Sequence, residues 1–501
     1  MPKPRHHRRQ LLSLPLAAIA VTGVVTAVTA PVDGKTRRGV PNTVQAISQQ
    51  DKEQGAKAHP QLLAEFGGAE TGTQADYVEQ VGKTIALQSG LSNARDDFTV
   101  TLLNSPVNNA FAIPGGYVYV TRQLAALMNN EAELAGVLGH EVGHVAARHS
   151  SSRQKTSTRN QLLGMLGSIL SGMLLGDNTF GRLGQQIFSQ GSQLLTLRYS
   201  RGQETEADNL GIEYLKRAGY DPRAMSTVLL SLAQQNALDA ALRGTSNQVP
   251  QWASSHPDPA SRVRAALVRA GGARASGATN RDTFLASIDG LTYGDDPEQG
   301  IIDGRDFVHP VLRLAFQAPN GFYMVNGTSS VSINGQSGKA EFTVAEYNGN
   351  LDSYVRSVFA TVGGDQQKLS PDQVTRVTIN GIPAAYGIVR TQGSSGQVDV
   401  IVFAYEFAKD KAYHFTTISA AGQASSFSPM FNSMRRISVT EAGQVKPRKI
   451  DVVTVKSGDT VDSLAARMAY DNAQLERFMV LNALDTNSRL VPGQKVKLVV
   501  Y

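Results

Sequence analysis

Residues 129–150 read NNEAELAGVLGHEVGHVAARHS, and this stretch decides what kind of fold the chain builds. Asn129 and Asn130 carry side chains of the type that cap a helix, and Leu134, Val137, Leu138, Glu141 and Val145 follow at helical spacing. Residues 131–150 are therefore predicted as one amphipathic helix. His140 and His144, four residues apart, project from one face about a turn apart, so both imidazoles reach a single ion; zinc accepts such nitrogens at about 2.0 Å. Glu141 lies about 100° further round, which sets its carboxylate beside the ion and within reach of a bound water, where a general base belongs. Gly139 and Gly143 leave the helix thin enough for a close neighbour.

A catalytic zinc needs a third protein ligand and an open fourth position. Glu204 is assigned to that third place. It opens Glu204-Thr205-Glu206-Ala207-Asp208, the start of a second predicted helix with Ala207, Leu210, Gly211, Tyr214 and Leu215 on its apolar stripe and Gly219 after its end. Glu204 and Asp208 share a face at i and i+4, so Asp208 is assigned to hydrogen-bond a ligand histidine and fix its tautomer. His149 is read as a solvated or structural histidine at the helix end, and His59, His309 and His414 have no partner motif.

The chain has 501 residues, enough for about three modules, and its 41% apolar and 18% charged residues are those of a globular protein. Of the formal charge of +6, Lys3, Arg5, Arg8 and Arg9 supply most from a stretch without acids, so no nucleic-acid partner is expected. Cysteine is absent, which excludes a disulfide framework, a lipidated cysteine and a catalytic thiol. Residues 1–30 have a basic start, an apolar stretch and small residues ending at Ala30, the pattern of a cleaved export signal; an uncleaved inner-membrane anchor over residues 11–30 is the alternative. Either places the body in the periplasm or cell envelope.

Residues 31–50 read as a linker, and residues 51–270 as a mainly helical domain with strands at 98–103, 109–113 and 117–121 and a tight turn at Pro114-Gly115-Gly116. The apolar run 162–175 is short for a membrane span and is read as a buried or interfacial helix pair covering the active site. Gly271-Gly272-Ala273-Arg274-Ala275-Ser276-Gly277 marks a boundary. Residues 282–440 alternate with period two, with hairpin signals at Asn334-Gly335 and Asn380-Gly381 and helical patterns at 351–362 and 426–434; they form an α+β domain of binding or spacer role. Residues 441–450 are a linker to a last segment.

Asn109 to Gly116, the helix from Glu133-Leu134-Ala135 through His144, the segment Glu204 to Asp208, and Ser255-His256-Pro257 with Arg262 together resemble the CaaX prenyl protease, HtpX and BepA family of gluzincin metalloproteases, over residues 51–267. The resemblance implies an α-helical HExxH zincin fold with a small β element, holding one zinc ion per chain on His140, His144 and Glu204 and leaving Glu206 outside. It also implies that Asn109, Ala110, Phe111 and Ala112 form an edge strand for an extended peptide, although the residues alone also read as an ordinary hairpin. His256 and Arg262 would come towards the metal, to stabilise an oxyanion or block the open position; His256 alone reads equally as a loop histidine. No series of membrane spans follows the signal, which is similar to the soluble periplasmic branch; the tandem helical repeats that follow the protease in some soluble relatives are not visible, and the α+β domain takes their place.

Residues 451–501 resemble a LysM module through Val455-Lys456-Ser457-Gly458-Asp459-Thr460, Leu464-Ala465, Leu481-Asn482 and Val491-Pro492-Gly493-Gln494. That implies a βααβ fold that binds peptidoglycan, or one that only packs on the protease. The function expected is a zinc-dependent endopeptidase of the cell envelope that cleaves exported, misfolded or extended proteins in quality control, with possible contact to a membrane surface. A peptidoglycan-tethered chaperone-like or wall-binding protein with a latent metal site is one alternative, and a metallohydrolase of peptidoglycan cross-links another.

Overall fold

The computed structural model describes residues 46–91, 93–149, 199–243, 256, 259–363, 369–393 and 396–501. The export segment, most of the 31–50 linker, the apolar run 162–175, Ser255 and Pro257 lie outside these residues. Among the described residues no helix is long and apolar enough to cross a membrane.

The N-terminal body is built on a three-stranded sheet of order β1-β3-β2, with β1 Thr99–Leu103 parallel to β3 Tyr117–Thr121 and β2 Ala110–Ile113 antiparallel to β3. Period-two alternation sends Val100, Leu102, Ala110, Ala112, Val118 and Val120 to one face. Leu103, Phe111, Ile113 and Tyr119 point to the other, where they meet Leu62 and Phe66 around helix α1, Gln49–Glu65. The first face is covered by α2, Thr73–Ala86, and by α5, Glu131–Ala146; the short α3, Ala94–Asp97, and α4, Arg122–Leu127, flank the strands. The sheet is thus a layer buried on both sides, not an insertion. Gly115 and Gly116 make the β2–β3 turn at φ 92° and 84°, and a Cβ on Gly116 would lie 2.3 Å from the Asp97 carbonyl, so only glycine fits.

Helix α5 starts as its sequence requires: the Asn130 side chain accepts the Glu133 N–H at 3.0 Å, while Glu133 Oε2 accepts the Asn129 N–H at 2.7 Å. It is shorter than the predicted 131–150, because Arg148 takes the left-handed conformation at φ 54° and turns the chain back. Nor is it amphipathic in place. Residues from Glu131 to His144 are all buried, enclosed by the sheet, α2, α6 (Arg201–Arg217) and α7 (Ala224–Arg243).

Helix α6 begins at a capping box, Ser200 with Gln203, and runs along α5 at the glycine positions. Cβ atoms built on Gly139 and Gly143 would touch Gly211 and Ala207 respectively. At Gly211 a Cβ would meet Met225 Cε at 2.7 Å and the His140 nitrogen at 3.1 Å. Gly211→Ala is therefore expected to cost about 1–3 kcal/mol by forcing the two helices apart, read as a lower urea midpoint; an unchanged midpoint would show that the helices can yield.

The run from Gly271 to Gly277 is packed against the helices before it. Gly277 lies against the Tyr220 backbone, where a Cβ would fall 2.4 Å from the Tyr220 carbonyl carbon, and Ala278 pairs with Tyr220. Its glycine permits close approach, not flexibility. Following α8, Pro259–Ala270, and this turn, α9 (Arg281–Ile288) buries Phe284, Leu285 and Ile288 in the same core as α5, so residues 281–288 belong to the N-terminal body and not to the α+β layers.

Those layers are a seven-stranded antiparallel sheet of order β11-β12-β13-β14-β10-β9-β8, in which β8 is Tyr323–Asn326, β9 Val331–Gly335 and β14 Lys411–Ala420, with a four-stranded sheet (β5 Ile301–Asp303, β6 Asp306–His309, β7 Leu314–Gln317 and β15 Arg435–Arg436) on one face and α10, Leu351–Gly363, on the other. Strand β13, Gly396–Ala408, shows the logic: Ile401, Phe403, Tyr405 and Phe407 face the smaller sheet, whereas Val398, Val400, Val402 and Ala404 face α10. Asn380-Gly381 forms the expected two-residue turn, at φ 49° and 77°, joining β11 (Thr375–Ile379) to β12 (Ile382–Gly393). Asn334-Gly335 does not. Gly335 pairs with Gly338, which moves the turn to Gln336-Ser337, and Gly335 instead leaves room for the Phe322 ring.

On β10, Gly338–Val344, Glu341 is 6% exposed and burial pushes its carboxyl up to about 7 against a hydrogen bond from Ser330. The folded state therefore holds this proton where the unfolded chain has lost it, and its contribution to stability is lost as pH rises from about 4.5 through about 7. Glu341→Gln is expected to gain on the order of 2–3 kcal/mol over wild type above that window and nothing below it. Paired urea titrations at pH 4.5 and 8 check this; a difference independent of pH contradicts it.

The C-terminal segment forms β16 (Arg448–Thr454), α11 (Val461–Ala465), α12 (Gln474–Leu481) and β17 (Lys495–Val500), a βααβ unit with β16 antiparallel to β17. Two expectations shift. The 441–450 linker is mostly structured, since Val439–Gln444 is a helix and β16 already starts at Arg448. The unit also shares its core with the N-terminal body: Ile450, Phe478, Leu481, Val496 and Leu498 join the cluster around α5, and β16 pairs with β4, Thr292–Tyr293.

Candidate metal centre

Four side chains converge beneath α5: His140, His144, Glu204 and His256, all buried, each offering a ligand atom within 4.8 Å of the others. The two helices explain the first three. His140 and His144 sit one turn apart on α5, and α6, brought close by the glycines, places Glu204 of its first turn opposite them. His140 Nε2 and His144 Nε2 are 3.0 Å apart; Glu204 Oε2 is 3.6 Å from the former and Glu204 Oε1 3.4 Å from the latter. Ligands about 2.0–2.1 Å from a tetrahedral zinc stand roughly 3.3–3.4 Å from one another, so the three donors fit such an ion. His256 Nδ1 takes the fourth corner, 3.2 Å from His140 Nε2 and 3.0 Å from Glu204 Oε1.

Charge is arranged to suit a cation. Burial opposes ionisation of Glu204, but His256, His144 and His140 outweigh it and hold the carboxyl far below the usual carboxylate range. Burial drives His144 well below its ordinary value, leaving the neutral imidazole that a ligand must present. His256 is raised despite its burial, by Glu204 and Glu141.

Glu141 lies beside the cluster with Oε1 3.4 Å from His256 Nε2. It is fully buried, burial pushes its carboxyl up, and neither oxygen accepts a hydrogen bond among the described residues. A buried carboxylate without such a partner costs several kcal/mol unless something else approaches it.

Asp208 Oδ1 is 2.9 Å from His140 Nδ1, and His140 Nε2 is the atom turned towards His144 and Glu204. Although burial opposes it, Arg262 and His140 keep the Asp208 carboxyl low. Arg262 comes towards the cluster, as the resemblance implies: its guanidinium holds Asp208 through Nε at 2.8 Å and Nη2 at 2.5 Å and reaches Glu204 with Nη1 at 2.6 Å.

Of its two readings His149 takes the structural one: it is 4% exposed, with Nδ1 2.8 Å from His144 Nδ1 and Nε2 3.3 Å from Oε2 of Glu206, which is exposed. Tyr199, which nothing in the sequence singled out, stacks on the His144 ring with centroids 3.6 Å apart. Asn109, Ala110, Phe111 and Ala112 run along β2, the outer strand of its sheet. The Thr121 N–H donates to the Asn109 carbonyl at 3.0 Å, so alternation turns the backbone of Ala110 and Ala112 away from β3. A small cavity between Ile113-Pro114-Gly115, Ile47, Leu91 and Val145 joins the end of this strand to His144.

Comparison with known proteins agrees with this geometry. Residues 73–270 match Peptidase family M48, and residues 453–499 match the LysM domain. Over 197 residues the chain is 34% identical to the beta-barrel assembly-enhancing protease of Yersinia pestis and 32% identical to that of Escherichia coli K12, covering 39% of this chain and 38% of each relative. It is 29% identical over 217 residues to the mitochondrial metalloendopeptidase OMA1 of Schizosaccharomyces pombe, covering 43% of this chain and 59% of that one. The chain thus spans less than two fifths of the length of the bacterial relatives, and the family match over residues 73–270 contains the whole cluster.

Proposed function

We propose that this protein is a zinc-dependent endopeptidase of the gluzincin type, acting in the cell envelope on exported proteins in extended or misfolded form. The observation that carries the reading is the tetrahedral set of His140, His144 and Glu204 with a hydrogen-bond-free carboxylate, Glu141, beside it. Bound there, zinc would polarise the scissile carbonyl and lower the pKa of the attacking water. Glu141 takes the proton of that water and returns it to the leaving amine. Asp208 holds the His140 tautomer, and Arg262 keeps Asp208 and Glu204 ionised and in place.

The substrate lies antiparallel to β2, exchanging backbone hydrogen bonds with Ala110 and Ala112 and presenting a side chain towards the cavity by Ile113. His256, at the fourth corner, must withdraw before a carbonyl can enter, so the arrangement described is the closed one. Residues 1–30 direct export or anchor the chain, and residues 451–501 tether it to peptidoglycan. Incubating purified protein with unfolded casein and with isolated sacculi, each with and without a chelator, tests the reading: chelator-sensitive cleavage of casein alone is expected. Cleavage of sacculi alone would favour a wall hydrolase, and cleavage of neither would favour a latent site.

A further inference from the structure

The two histidines of α5 are secured from behind by different groups. His140 Nδ1 meets Asp208, itself gripped by Arg262, whereas His144 Nδ1 meets a second imidazole, His149 Nδ1, at 2.8 Å, and His149 Nε2 in turn meets Glu206 Oε2 at 3.3 Å. A continuing helix could not make this contact, because residues five apart lie about 140° from each other around the axis. The chain leaves the helix at Arg148, φ 54°, and that single left-handed residue folds His149 back beneath His144.

We infer that His149 is a positioning residue for the metal ligand His144, with Glu206 fixing His149 in turn; the inference rests on the metal assignment proposed above. The protons along the chain allow one arrangement once His144 Nε2 faces the ion. His144 Nδ1 carries a hydrogen and donates it to His149 Nδ1; His149 then carries its hydrogen on Nε2 and donates to the Glu206 carboxylate. Tyr199 stacked on the ring face and His149 at its edge together leave His144 one orientation. Glu206, two residues after Glu204 on α6, thus serves the site through His149 without touching the ion. An outer partner of this kind is worth roughly 10–100-fold in metal affinity.

The test is zinc affinity of the full chain by chelator competition, with cobalt absorption as a second readout of ligand geometry. His149→Ala is expected to weaken zinc binding about 10–100-fold and to broaden the cobalt bands. His149→Asn, whose Oδ1 falls near the lost Nδ1 and can accept from His144, is expected to restore affinity to within about threefold of wild type. Wild-type affinity in His149→Ala would overturn the inference. So would a His149→Asn variant that, folded by circular dichroism, binds more than about tenfold more weakly than wild type, since packing and not hydrogen bonding would then be what matters. Failure of the wild type itself to take up zinc would overturn the ligand assignment, a separate and recognisable result.

Discussion

Glu141→Gln is expected to bind zinc as wild type does and to cleave unfolded protein about 10²–10⁴-fold more slowly, the range that a general base contributes. The substitution is nearly isosteric, and because neither Glu141 oxygen accepts a hydrogen bond among the described residues, an amide there breaks no such contact. The metal donors are untouched, being His140, His144 and Glu204. What is lost is the ability to take a proton from water and deliver it to the leaving amine. Rate and metal content measured on one preparation separate this from general damage; activity within tenfold of wild type would remove Glu141 from its role.

Lys497→Met is expected to destabilise the whole described body by about 3–5 kcal/mol, the cost of breaking a buried charged network on one side. Lys497 is fully buried on β17, and its Nζ donates to the carbonyls of Ala126, Leu127 and Met128 at 2.8, 3.2 and 2.6 Å. These are the carbonyls that the end of α4 leaves without helical partners, so the C-terminal unit supplies the cap of a helix in the N-terminal body. Burial pulls the ammonium well below its ordinary value, with Glu133 opposing, and Glu133 is the residue that holds Asn129 at the start of α5. Methionine fills similar space but leaves three carbonyls without their donor and removes the ammonium that attracts Glu133, which keeps its bonds from Asn129 and Thr227. Urea unfolding followed by Tyr and Trp fluorescence should show one transition at a lower midpoint. A loss below about 1 kcal/mol would mean that the unit merely rests against the body.

Much of the centre was legible because its signals are local. Two histidines at i and i+4, Asn130 at the cap and two glycines one turn apart all concern one helix, and the neighbour they call for carries Glu204 and Asp208 at the same spacing. Asn380-Gly381 was legible for the same reason. Long-range packing was not. Glycines at 271–277 look like a flexible boundary, whereas Gly277 is there to let the chain touch Tyr220. Lys497 alternates with apolar neighbours like an exposed strand lysine, and only the docked unit shows that the carbonyls ending α4 receive it. The role of His149 was hidden by Arg148, since nothing about an arginine announces a left-handed turn.

The central claim is that His140, His144 and Glu204 hold a catalytic zinc. Metal analysis of purified protein, alongside cleavage of unfolded casein, tests it most directly. The account predicts about one zinc per chain in wild type and in Glu141→Gln, little in His140→Ala and Glu204→Gln, and cleavage that a chelator stops and added zinc restores. Wild-type protein that cleaves casein at full rate without stoichiometric metal, or Glu204→Gln that retains both zinc and activity, would contradict it.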